Sequence, residues 1–135
     1  MHIEILTEDR SGSVVVERLV TRLVEEEKVD ATVAVRPHRG CGSLPKDMTA
    51  KPPKFANSLL DLLPSELRAY NKTYAGKDII LIIALDSDDK DPQALRQEIY
   101  SVASKFAPDI RSVVGIRTEE IEAWVLGDKS AIIDD

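Results

Sequence analysis

A chain of 135 residues, 43% hydrophobic and 31% charged, is sized for one domain, residues 1–135, with a single core built mainly from Val, Ile and Leu. Its net charge of −6 argues against generic, surface-wide nucleic-acid binding, and its one cysteine, Cys41, cannot pair within the chain, which suits a reducing cytoplasm. Met1-His2-Ile3-Glu4 lacks the basic and long apolar regions of a signal peptide, and no stretch is apolar for the 18 or so residues of a membrane helix, so a cytoplasmic location away from the membrane is expected.

His2 to Thr7 reads as a short strand in which Ile3 and Ile5 alternate with polar neighbours before Leu6. It ends in Glu8-Asp9. Ser11-Gly12-Ser13 supplies turn and N-cap residues for a helix carrying Val16, Leu19, Val20, Leu23 and Val24 to about Glu27. Ala31 to Arg36 alternates as a second strand, and the intervening helix makes the pair a parallel βαβ unit. Pro37 to Pro53, with two glycines and two further prolines, is a loop of a length that is uncommon in a compact domain unless functional or disordered. A helix is expected from about Lys54, bearing Phe55, Leu59, Leu60 and Leu63, with Pro64 separating it from a second segment, Ser65 to Lys72.

Asp78 leads into Ile79 to Leu85, an unbroken aliphatic run rich in isoleucine, the pattern of a strand buried on both faces at the centre of a parallel sheet. Pro92 opens a helix with Leu95, Ile99, Val102 and Phe106, and Pro108 stops it. Ile110 to Arg117 is a fourth strand, and Thr118 caps a last helix with Ile121, Trp124 and Val125 on one face, where Trp124 is a core anchor. Alternating strands and helices imply an α/β, Rossmann-like three-layer domain with a mostly parallel sheet of about four strands. The chain ends abruptly after Ile132-Ile133, so either the last helix docks there or the native protein continues.

Three acidic clusters follow strand ends: Glu8-Asp9, Asp86-Ser87-Asp88-Asp89 and Glu119-Glu120-Ile121-Glu122. Parallel strands bring all three to one edge of the sheet, the edge at which open α/β sheets bind ligands. Like charges about 4 Å apart repel by roughly 1 kcal/mol in water and about 4 kcal/mol at an effective dielectric of 20. A shared cation relieves this, and hard carboxylate oxygens select Mg²⁺, Mn²⁺ or Ca²⁺. Each cluster also has a plainer reading: helix-dipole complement for Glu119 and Glu120, and solvated turns for the other two. Their coincidence at one edge favours the metal site.

Glu8 in a strand-turn-helix unit, Asp86-x-Asp88 after an aliphatic strand, and a downstream acid resemble the Toprim pattern of topoisomerases, primases and OLD-type nucleases. Ile5-Leu6-Thr7-Glu8-Asp9, Ala84 to Asp89, and Glu120-Ile121-Glu122-Ala123-Trp124 are similar to an uncharacterised bacterial Toprim-like family. The resemblance implies a nuclease or phosphodiesterase with one or two Mg²⁺ (or Mn²⁺) ions. It makes Glu8 a metal ligand or general acid/base, Asp86 and Asp88 metal ligands, and Glu122, then Glu120, the downstream acid. It also implies nucleic acid as the partner and a place in a defence or repair assembly with a partner protein. Asp9 stands where glycine commonly follows that glutamate, and a side chain there narrows the approach of a phosphate.

From Arg36 to Lys54 five basic residues face one acid, a local charge of +4 that leaves −10 on the rest of the chain. Arg36, Arg39 and Lys46 are therefore the candidates for holding phosphates, with a flexible solvated loop as the alternative. His38 and Cys41 are too few ligands for zinc, and His2 is read as structural. Two other function classes fit the same acids: a receiver-like domain in which Glu8-Asp9 holds Mg²⁺ and Asp86 accepts a phosphoryl group, and a catalytically silent module that binds a protein through its acidic edge.

Overall fold

The computed structural model describes residues 1–85 and 91–116. Seven elements follow in the order β1 (His2–Thr7), α1 (Arg10–Glu26), β2 (Thr32–Pro37), α2 (Leu59–Tyr74), β3 (Ile79–Leu85), α3 (Pro92–Phe106) and β4 (Arg111–Ile116). The four strands form one all-parallel sheet in the order β2-β1-β3-β4. Every residue of β3 is buried, as its continuous aliphatic run requires of a strand covered on both faces.

Strand order and the right-handed crossover rule together fix the layers. The chain steps from β1 to β2 in one direction, then from β2 past β1 to β3 and on to β4 in the other. Right-handed connections then put α1 on one face and α2 with α3 on the opposite face. The two cores have that division. Ile3, Ile5, Ile80 and Ile82 pack with Val16, Val20 and Leu23 of α1, whereas Leu6, Leu81 and Ile83 pack with Leu59, Leu63 and Leu67 of α2 and Leu95 and Ile99 of α3. The molecule is thus an α/β, Rossmann-like three-layer fold.

Four local expectations are corrected. Asp9, not Ser11 or Ser13, caps α1: its carboxylate accepts a bond from the Gly12 amide at 2.6 Å, while the Ser13 hydroxyl donates back to the Arg10 carbonyl. The second helix begins at Leu59 rather than Lys54, because Pro52-Pro53 and a turn closed by the Ala56 amide on the Pro53 carbonyl occupy the chain before it. Pro64 lies inside α2 without dividing it. A proline in a helix interior costs about 3 kcal/mol or more. Burying Leu59, Leu60, Leu63 and Leu67, all at most 1% exposed, contributes about 1.5–3 kcal/mol each, so packing wins.

The fourth correction concerns Glu4. Alternation made it a polar neighbour of Ile3 and Ile5, but β1 is an interior strand with helices on both faces, and Glu4 is 1% exposed.

Candidate functional site

The carboxyl ends of the strands are level. Thr7 of β1 is paired with Pro37 of β2 and with Ala84 of β3, and Leu85 of β3 with Ile116 of β4. The sheet grows outward in both directions from β1 and β3, so the topological switch point lies between these two strands. In doubly wound sheets the crevice outside that point is the ligand site. Glu8 leaves β1 there, and β3 ends at Leu85, the residue before Asp86 in sequence. Asp86, Asp88, Glu120, Glu122 and Trp124 lie outside the described residues. Among the described residues, no three His, Cys, Asp or Glu side chains come together as a metal-binding group.

Glu8 is held through its backbone. Its carbonyl accepts from the Gly40 amide at 2.7 Å, while Thr7 accepts at its carbonyl from the His38 amide at 2.9 Å. Residues 38–40 therefore run alongside the turn that follows β1. The adjoining Asp9 is turned toward α1 by its cap bond, so its carboxylate is engaged with the Gly12 amide at the start of that helix. A Cβ on Gly12 would come within 2.8 Å of that Asp9 carboxylate, so the close approach depends on the glycine.

The basic loop is pinned at several points. Arg39 is exposed, and its amide donates to the Asn57 carbonyl at 2.8 Å. The carbonyls of Gly40 and Cys41 accept from Leu59 and Leu60, the first two amides of α2, at 2.9 and 2.8 Å. Those amides would otherwise lack partners, since the Ser58 hydroxyl bonds to Asp61 instead of capping the backbone. Farther on, Arg68 donates to the Met48 carbonyl, and Cys41, Leu44 and Met48 pack against the larger core. Lys46 is exposed. Its neighbour Asp47 has its pKa lowered by the Thr49 hydroxyl and amide, which keeps the single acid of this segment ionised.

Arg36 sits elsewhere. Its Nε donates to Glu4 at 2.6 Å on the α2 face of the sheet. Glu4 also meets His2 Nε2 at 2.7 Å and the Tyr70 hydroxyl at 3.2 Å. Bonding to Glu4 raises the Arg36 pKa further. Burial foremost, and then the Glu4 charge, push the Tyr70 hydroxyl well above its ordinary value, so it remains a donor. His2, read as structural, bonds Thr32 and stacks on Tyr74 at 5.7 Å. Beside this cluster is a cavity of about 310 Å³ lined by Arg36, Glu66, Ala69, Tyr70, Thr73 and Tyr74.

His38 links the cluster to the strand ends. Its side chain is 5% exposed. Nδ1 faces the Thr7 carbonyl at 2.9 Å and Nε2 the Glu66 carboxylate at 2.8 Å. Both partners are acceptors, so only the imidazolium satisfies both contacts. Burial disfavours that charge, but Glu66 and the carbonyls of Thr7 and Arg36 outweigh it and hold the pKa above its ordinary value. The sequence offered no pattern for this pair, because His38 and Glu66 are 28 residues apart. Glu4 could have been found from the interior position of its strand.

Comparison with protein-family models gives no match for this chain, and comparison with curated proteins gives none either. Among solved structures the chain is similar to a de novo designed Rossmann 2x3 fold protein studied by solution NMR, at 14% identity and a TM-score of 0.37, with 96% of this chain and 89% of that one covered. The fold assignment rests on the parallel pairing and strand order above. No helix among the described residues is long and apolar enough to cross a membrane.

Proposed function

We propose that this chain is a divalent-metal-dependent phosphodiesterase acting on nucleic acid, with Glu8, Asp86, Asp88 and Glu122 as its working carboxylates and Glu120 as an accessory one. The observation that carries the reading is the adjacency of β1 and β3 at the switch point, since these are the two strands that lead into Glu8 and into Asp86-x-Asp88. The Toprim resemblance, with its Glu and Asp-x-Asp after two aliphatic strands, points the same way.

The donor set is entirely carboxylate, which suits Mg²⁺ or Mn²⁺. Such an ion supplies polarisation of the phosphodiester and a water of lowered pKa. The chain's own part is to hold the acids on rigid strand ends and to bring cations to the phosphates. Glu8 is fixed through the Gly40 amide, and Arg39 and Lys46 are exposed on the adjoining loop. Arg36, with its Nε bonded to Glu4, is better suited to holding β2 against β1 than to gripping a phosphate. The receiver-like alternative requires Asp9 as a metal ligand, and the commitment of Asp9 to the α1 cap counts against it.

Asp86→Asn should lower Mg²⁺-dependent cleavage of a labelled oligonucleotide by about 100-fold or more, the scale set by loss of one group that stabilises developing charge. Its circular dichroism spectrum should match the parent. Cleavage at the parental rate by the folded variant would overturn the assignment.

A further inference from the structure

Phe55 is 85% exposed, while the other exposed large hydrophobics described, Val14, Val15 and Tyr100, are at most 47% exposed. Leaving a phenylalanine in water forgoes about 1.5–3 kcal/mol of burial. Its placement is defined: Pro52-Pro53 precede it, and the Ala56 amide closes on the Pro53 carbonyl at 3.0 Å, so the ring stands in a short turn. Lys51 and Lys54 beside it are exposed, and the Lys54 ammonium lies 5.8 Å from the ring centroid. Two residues later Asn57 accepts from Arg39, and Gly40, next to Arg39, donates to Glu8. Three residue steps and two hydrogen-bonded crossings put Phe55 within about 20 Å of Glu8 along a tethered path.

We propose that Phe55 is a base-stacking platform that makes this loop select single-stranded nucleic acid. An exposed ring among lysines has the two chemistries such a strand needs, a π face for an unpaired base and ammonium groups for the phosphates on either side. A duplex keeps its base faces stacked inside and offers this loop only phosphates. Apart from Arg36, which is bonded to Glu4, the loop carries Arg39, Lys46, Lys51 and Lys54 against Asp47, a local charge of +3 on a chain of −6, and this focuses the electrostatic attraction on this segment. The inference rests on the reading of the site as one for nucleic acid and adds the strandedness of the substrate and the residue that reads it.

The test is fluorescence anisotropy of a labelled 20-nucleotide oligothymidylate and of a duplex of the same length, in EDTA so that no cleavage intervenes. The full chain, Phe55→Ala and Phe55→Trp are compared. Loss of one stacked base should weaken single-strand binding by about 5- to 150-fold in Phe55→Ala, Phe55→Trp should restore it, and duplex binding should be equal in all three. Because the ring is exposed, the melting temperatures should coincide. Single-strand binding unchanged in Phe55→Ala, or absent from the parent, would overturn the proposal. Phe55-dependent binding without any Mg²⁺-dependent cleavage would remove the phosphodiesterase reading and leave this one standing, and cleavage with Phe55-independent binding would do the reverse.

Discussion

Glu4 and His38 are titratable side chains held away from water on the α2 face of the sheet, and they are stabilised by different means. Glu4 is surrounded by donors from three elements: His2 on its own strand, Arg36 on β2 and Tyr70 on α2. Arg36 is itself largely exposed, so water screens part of that attraction, and the pairing matters chiefly because an unpaired buried carboxylate is costly. His38 depends on one carboxylate, Glu66, together with main-chain carbonyls. Its pKa is raised in the folded protein, so folding favours the protonated form. The stabilisation is therefore complete below the ordinary histidine value of about 6.5 and is lost as pH rises through the higher folded value. His38→Gln should cost about 1.5–3 kcal/mol at pH 6, the usual value of a hydrogen bond to a charged group, and less at pH 9. Urea unfolding at both pH values checks this, and an equal loss at both would show that the imidazolium is not the stabilising species.

The decisive element is the junction between the basic loop and α2, where carbonyls 40 and 41 replace a side-chain cap. Gly42 makes the junction possible. It lies at φ +65°, and a Cβ there would land on the Ser58 hydroxyl and the Asp61 carboxylate. Both the left-handed backbone and the contact oppose any larger residue, so Gly42→Ala should destabilise the protein by about 1–3 kcal/mol, measured as a lower urea midpoint at unchanged m-value. A midpoint equal to the parent's would mean that the loop carbonyls do not hold the helix end. In sequence this stretch showed glycines, prolines and no periodicity, which identifies a loop but not where it is anchored. Anchoring comes from hydrogen bonds between main-chain groups, and those carry no residue signature. The start of α2 lies at Leu59 rather than at the expected Lys54 because Pro52-Pro53 and the turn that follows them occupy the chain before it, while its buried leucines are legible from their spacing.

At the scale of the whole molecule, the parallel sheet and its alternation with helices were readable because crossover length and right-handedness leave few topologies for four such strands. The aliphatic run before Asp86 marked the central strand for the same reason: only burial on both faces makes seven successive apolar residues useful. What could not be read was the rest of the polar interior on the α2 face, since Tyr70 and Glu66 look like ordinary helix surface until the layers are assembled. The proposed site joins the strand ends into one electrostatic unit, and that gives a signature in stability as well as in activity. Carboxylates gathered at one edge without a cation repel, so neutralising one of them in Asp86→Asn should leave the melting temperature in EDTA equal to or above the parent's. With Mg²⁺ or Mn²⁺ the order should reverse. A ligand at about 100 times its Kd stabilises by about 2.7 kcal/mol, which for a chain of this length raises the midpoint by on the order of 10 °C, and the variant should lose most of that rise. Thermal melts of both proteins across a metal titration read the two signs together. Parallel responses, or none in the parent, would separate the acids from any shared cation and leave the acidic edge to a protein partner.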